Sequence, residues 1–341
     1  MELAQKVKDD ALANQPLIGS LEPIDVLEKE YAGGQGVDGF VAKAKWLRDV
    51  GGFSGLRRTR GDGDCFYRSF AFAFIQRLLH FNDRPMHHFI MKHIEDTKSL
   101  LKQAGFDETV YLDFYGPFHD LLVRMHTTDP HVSELNDADL QRAFNDPETS
   151  NSIVVYLRLL TSAFLKLNED DFLPFLFTLE DDSAAVFEGK PPNMATFCAN
   201  HVEAIGKEAD HVQIAALSRC LKVSLDVAYL SQNGAPPETP LAEEFEELHS
   251  AEGAAASNSG SASISASGGL EVPGSEAAQM RRARDDPSKC DIVHFEIPGA
   301  VAHIDIGTLL FRPGHYDVLV SAPPPASPEV VIPRAGQQGK Q

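Results

Sequence analysis

From Trp46 to Leu230 the chain is dense in apolar residues set at the spacings of helices and strands. Phe66, Phe70, Phe74 and Leu78 recur at every fourth residue, directly behind "RTRGDGDC" (58–65). That period puts them on one face of a helix whose first residue is Cys65. "IVVYLRLLTSAFLKL" (153–167) is apolar nearly all round, which predicts a buried helix. "DHVQIAALSRCLKV" opens on Asp210 and carries Gln213 three residues later, the capping-box pattern that starts a helix. "VSLDVAYL" (223–230) then alternates with a period of two and reads as a strand. Three further strands are predicted near the C-terminus, at "DIVHFEI", "HIDIGTLLF" and "YDVLVSA".

The same pattern divides the chain. Residues 1–45 read as a polar N-terminal arm with one helix at "IDVLEKEYA", loosened by "GGQGVDGF"; Trp46 anchors the entry to the domain. Residues 46–231 and 287–321 form the predicted main domain, interrupted by an insertion at 232–286. Within it, all but three residues of "SAEGAAASNSGSASISASGG" (250–269) are Ala, Ser or Gly. Such a segment buries too little apolar surface to offset its ordering entropy, so disorder is expected. A Pro-rich tail, 322–341, is expected to be disordered as well. The fold class is α/β (α+β): a central sheet flanked by helices, with its last strands returning after the insertion.

With 43% hydrophobic and 23% charged residues over 341 positions, the chain can bury a sizeable core without disulfides or a structural metal. A net charge of -20 argues against nucleic acid or an anionic membrane as the main partner. The four cysteines are scattered and make no CxxC pair, so neither a disulfide scaffold nor a zinc site is expected. The N-terminus is not a basic stretch followed by an apolar core, and no apolar run is long enough to span a bilayer. A reducing compartment, cytoplasm or nucleus, is the expectation.

Cys65 is the candidate for chemistry. A thiolate is the reactive form, and a helix N-terminus favours it through unpaired N–H groups and the positive end of the dipole. Gly61 and Gly63 permit backbone geometries in which the amides of Gly63, Asp64 and Cys65 converge on an oxyanion. The competing reading is an inert buried cysteine at a helix start. A nucleophile also needs a base held by a third group. On a strand, His-x-Asp sets the carboxylate beside the imidazole, and two such pairs exist: His303 with Asp305, and His315 with Asp317. The turn signal "RPG" before His315 favours the second pair without excluding the first. His87, His88 and His93 lack the spacing of a helical metal site and read as a solvated face; Asp210 and His211 read as a cap. Cys198, Cys220 and Cys290 have no such neighbours and read as structural.

"RRTRGDGDCFYRSF", "VVYLRLLTSAFL", "EADHVQIAALSRCLKVSLDV" and "LFRPGHYDVLV" resemble, in this order, the signature blocks of the otubains, the ovarian-tumour-domain (OTU) cysteine deubiquitinases. "NQPLIGSLEPIDVLEKEYA" resembles the arm that precedes their catalytic domain. The resemblance implies a papain-like OTU fold, with Cys65 as nucleophile, His315 as base, Asp317 as the carboxylate orienting it and Asp62 as an acidic partner beside the nucleophile. It implies hydrolysis of isopeptide bonds in ubiquitin conjugates and polyubiquitin, lysine-48-linked chains foremost, by a monomer needing no metal or organic cofactor. A ubiquitin-conjugating E2 enzyme is an implied partner, and a ubiquitin- or E2-binding regulator with weak catalysis is the alternative. One departure stands out: the family usually has Asn where this chain has Asp64, and a carboxylate there disfavours negative charge nearby. If that side chain points to solvent and only its N–H serves the site, the effect is small.

Overall fold

The first and last described segments of the chain meet in one sheet. The computed structural model describes residues 14–32, 38–176, 193–231, 288–295 and 304–321. In chain order the elements are β1 (Ile18–Pro23), α1 (Asp25–Tyr31), α2 (Asp38–Asp49), β2 (Phe53–Thr59), α3 (Cys65–Phe81), α4 (Arg84–Gln103), α5 (Glu108–Val123), α6 (Asp137–Asn145), α7 (Pro147–Leu167), α8 (Glu169–Leu176), α9 (Met194–Phe197), α10 (His211–Leu221), β3 (Val223–Tyr229), β4 (Asp291–Phe295), β5 (Ile304–Arg312) and β6 (His315–Ser321). The sheet order is β1-β2-β6-β5-β3-β4, antiparallel throughout except for the β5–β3 pair.

Both faces of this sheet are covered, and the strands show it. In β3, Val223, Leu225, Val227 and Tyr229 join the large core beneath α3, α4, α5, α7 and α10, while Ala228 joins a second core beneath α1 and α2. Burial on two sides is why the central strands are apolar at almost every position. β6 follows the same rule: Tyr316 and Val318 enter the large core, Leu319 the second. Successive strand side chains alternate in direction, so His315 and Asp317 share the Leu319 face, the side that α1 and α2 cover.

The predicted helices stand where the pattern set them. α7 extends the expected 153–167 segment by one and a half turns, to Pro147, because Asp146 caps it and Pro147 fits its first turn. α10 begins with the full reciprocal capping box of Asp210 and Gln213. The break at residue 45 does not coincide with a structural boundary. It falls inside α2, and Ile18–Pro23 of the supposed arm is an edge strand paired with β2. Polar residues on the outer face of α1 and α2 hide this in the sequence; their inner residues Leu27, Ala44 and Leu47 are buried against Phe53, Leu56 and Leu319. His303, the 232–286 insertion and the Pro-rich tail lie outside the described residues. No described helix is long and apolar enough to cross a membrane.

Leu27→Ala tests whether α1 belongs to the domain. A fully buried leucine costs roughly 2–5 kcal/mol on truncation, whereas one on a detached arm costs nothing. Chemical denaturation is expected to show the large loss.

Candidate active site

Cys65 is the first residue of α3, and the loop before it is set by glycine. Gly63 has φ +81°, and a Cβ added there would lie 2.1 Å from the Gly206 carbonyl oxygen. Only glycine meets both the left-handed backbone and the close approach. The start of α3 is then fastened to the sheet: Ser69 Oγ donates to the Tyr316 carbonyl at 3.2 Å and pairs with Thr59 Oγ1 at 2.7 Å. Phe66 meets Tyr316 edge to face.

Asp64 does not face solvent. Its side chain is buried and accepts from Arg158 Nε at 2.9 Å and Nη2 at 2.6 Å, and from the Gly206 N–H at 3.1 Å. Arg158, wholly buried on α7, also donates to the carbonyls of Gly63 (3.0 Å), Val202 (3.0 Å) and Lys207 (2.6 Å). Its guanidinium lies over the Tyr67 ring, 4.5 Å from the centroid. The charge that Asp64 places beside Cys65 is therefore neutralised within the loop. There is a second consequence. An Asp at the N-cap ordinarily accepts from the first-turn amides, but this one makes no cap bond. Arg158 holds the carboxylate away and leaves the helix terminus open. The signal was present in the sequence as a lone arginine inside an otherwise apolar helix, a pattern that demands a buried partner.

Asp62 is held in its turn by Arg68, a fully buried residue of α3 whose Nη1 reaches both carboxylate oxygens at 2.9 Å. Arg68 is completed by Ser150 Oγ and Asn151 Oδ1 on α7. Asp62 Oδ1 also accepts the Asp64 N–H at 3.0 Å. Of the three amides expected to face an oxyanion, Gly63, Asp64 and Cys65, that of Asp64 is thus committed elsewhere. Asp62 shapes the loop, and the carboxylate that meets the imidazole belongs to Asp317.

His315 opens β6 after the Pro313–Gly314 turn, with Gly314 at φ +74°. Its Nε2–H donates to Asp317 Oδ1 at 2.8 Å, and Nδ1, buried and without a hydrogen-bond partner, is left free, while the Cys65 thiol is near enough to act on the charge of the ring. Gly61 lies against the same nitrogen, where a Cβ would stand 3.5 Å away. Asp317 is buried completely; Oδ1 also accepts the Thr59 N–H at 2.8 Å and Oδ2 accepts Arg312 Nη2 at 2.5 Å. Burial works to lower the His315 pKa, but Asp317 and Cys65 outweigh it and hold it up at about 9. Burial works to raise the Asp317 carboxyl, and the His315 bond with the Arg312 charge keeps it below its ordinary range.

The other candidates fall outside this cluster. Burial pushes the Cys198 thiol up to about 11 and that of Cys290 to about 12, and raises that of Cys220 too. His87 and His93 are not on a solvated face; they bond to the Leu122 and Cys220 carbonyls at 2.8 and 2.9 Å and pin α4. Asp210 caps α10, and His211 pairs with it and with the Tyr229 hydroxyl. Among the described residues no cluster of His, Cys, Asp and Glu could hold a metal ion.

A family model described as Peptidase C65 Otubain matches residues 10–321. Ubiquitin thioesterase OTUB1 of Homo sapiens is 32% identical over 232 residues, covering 68% of this chain and 77% of its own length. OVARIAN TUMOR DOMAIN-containing deubiquitinating enzyme 1 of Arabidopsis thaliana is 26% identical over 319 residues, covering 93% and 84%. A solved complex of h/ceOTUB1 with ubiquitin aldehyde and UBC13~Ub is similar in fold, with TM-score 0.65 and 23% identity over 95% of this chain and 97% of that one.

Arg158→Met is expected to cost roughly 3–5 kcal/mol in chemical denaturation, since it strands the Asp64 carboxylate in the interior. Asp64→Asn is expected to cost clearly less, because the amide oxygen still accepts from the guanidinium.

Proposed function

The chain belongs to the Peptidase C65 otubain family, and on that premise we propose that it is a deubiquitinase with Cys65 as nucleophile and His315 as its acid–base partner. The observation that carries this reading is the thiol at an open helix terminus, beside an imidazole whose buried Nδ1 is unpaired and whose other nitrogen is tied to a buried carboxylate. With its pKa at about 9, His315 is protonated at neutral pH, the charge state that pairs with a thiolate.

The Cys65 thiolate attacks the carbonyl carbon of the C-terminal glycine of ubiquitin. The oxyanion that forms is met by the backbone N–H groups of Cys65 and Gly63 at the end of α3. As the tetrahedral intermediate collapses, the proton on His315 Nδ1 passes to the lysine amine, which leaves. His315, now neutral, takes a proton from water, and the resulting hydroxide attacks the thioester and frees the ubiquitin carboxylate together with the thiolate. Asp317 holds the ring in one tautomer throughout, and Asp62 keeps the nucleophile loop in shape through Arg68. No step calls for a metal or organic cofactor.

Ubiquitin and its polymers are the proposed substrates, with lysine-48-linked chains preferred, and a ubiquitin-bearing E2 enzyme the proposed partner. The names of the curated relatives and the ubiquitin aldehyde and UBC13~Ub in the similar complexes support the substrate class and the partner. The linkage rests on family resemblance, and a cytoplasmic or nuclear location on the scattered spacing of the four cysteines.

Cleavage of a panel of di-ubiquitins tests the reading. Wild type and Asp64→Asn are expected to turn over at least one linkage, while Cys65→Ala and His315→Ala abolish turnover; an inactive wild type overturns it. The proton-donating form of His315 exists below about pH 9 and is lost above it. kcat/KM is therefore expected to fall as pH rises through that value. In Asp317→Asn, which removes the charge that holds the proton, the fall is expected to move to lower pH.

A further inference from the structure

The carboxylate that orients His315 is itself held from the N-terminal helix. Asp317 Oδ2 accepts from Arg312 Nη2 at 2.5 Å, and the other arm of that guanidinium, Nη1, reaches Glu30 Oε1 on α1 at 3.0 Å. The second Glu30 oxygen accepts from Arg58 Nη2 on β2 at 2.8 Å. Tyr31, the next residue of α1, lies near enough to favour the Arg312 charge and stacks on Phe40 of α2 at 4.9 Å. Burial opposes the Arg312 charge, and Asp317, Tyr31 and Glu30 together more than restore it. This chain of contacts exists because His315 and Asp317 lie on the sheet face that α1 covers, opposite to the face under α3.

We propose that Glu30 and Arg312 are positioning residues for the His315–Asp317 pair, so that the seating of α1 on the sheet sets the acid–base competence of the site. Arg312 is the cross-strand neighbour of His315 at the mouth of the β5–β6 hairpin. It is half of the geometry that decides which oxygen of Asp317 the imidazole meets: with Oδ2 taken by the guanidinium, Oδ1 is left for His315 and the Thr59 N–H. Arg312 can swing only if it abandons Glu30 and Tyr31. A lysine could not replace it, because a single ammonium lacks the planar fork that spans both carboxylates. The charged and titratable groups facing this corner from the packed elements are Cys65 on α3, Arg58 on β2, Glu30 and Tyr31 on α1, Glu208 against Gly314, and Arg312 with Asp317 on the hairpin. Glu30 and Tyr31 among them belong to the N-terminal 45 residues, and of these two only Glu30 bears a carboxylate. The catalytic role of the pair rests on the deubiquitinase reading; the coupling of α1 to the imidazole does not.

The test uses the full chain with labelled histidine and follows the His315 ring by NMR as a function of pH, with His315→Ala for assignment. In Glu30→Gln the midpoint is expected to fall by roughly 0.3–1 unit, with kcat on a ubiquitin C-terminal fluorogenic amide reduced several-fold and KM unchanged. Glu30→Asp should recover part of both. Asp25→Asn removes the same charge from the same helix, at a residue that pairs with Arg48 instead, and should change neither. Arg312→Lys, with its charge kept, should move midpoint and kcat further than Glu30→Gln does. The proposal is overturned if Glu30→Gln and Arg312→Lys titrate like wild type, or if Asp25→Asn shifts the midpoint equally. A wild type that cleaves no ubiquitin substrate sinks the deubiquitinase reading, while the titration still decides the coupling.

Discussion

A guanidinium taken wholly out of water has to be met by charge and by carbonyl oxygens, and around Arg158 that requirement organises the surroundings of Cys65. Its partners come from two stretches far apart in the chain, Gly63–Asp64 and Val202–Lys207. The arginine draws them together, and Gly63 and Gly206 let their backbones touch. Cys65 follows at once on α3, so its position is inherited from this closure. The same ion pair withdraws Asp64 from capping the helix, and the terminus stays open toward the thiol.

The site is assembled from opposite sides of the sheet. Cys65 arrives on a helix from the large core, whereas the His315–Asp317 pair lies on the strand face covered by α1 and α2. They meet at the end of the central strands, where the β5–β6 hairpin turns, because His315 is the first residue after a tight turn. An assembly of this kind depends on both layers at once. It explains why α1, polar on its outer face and joined to β1, is built into the domain, and why the ionic contacts running from Asp317 end there.

The acidic residue beside the thiol shows how one substitution is accommodated. Otubains usually carry Asn at the Asp64 position, and an unpaired carboxylate there would work against a thiolate and an oxyanion. Here it is met by two nitrogens of Arg158 and an amide. Nearby, Asp62 is matched by Arg68 in the same manner, which leaves Asp317 as the carboxylate in touch with the imidazole. Three acidic side chains near one cysteine thus have three separate arginines, and their tasks differ because their partners do.

Local order was legible in the sequence wherever its cause was local. The four-residue spacing behind Cys65, the capping box at Asp210 and the alternation of 223–230 each express a rule that acts over one or two turns of chain. The order of the signature blocks and the His-x-Asp spacing at 315–317 carried the family and the site candidates. What the sequence could not carry was pairing between distant segments. Whether the 1–45 stretch was an arm or part of the sheet depended on β1 finding β2, and on an inner face of α1 too short to show a period. The direction of the Asp64 side chain depended on an arginine 94 residues away. The link from Glu30 to Asp317 spans nearly the whole chain, through Arg312, 282 positions along from Glu30. Short-range propensity acts before the chain has closed on itself; buried charges choose their partners only after it has, and for this protein the fine structure of the site was decided at that second stage.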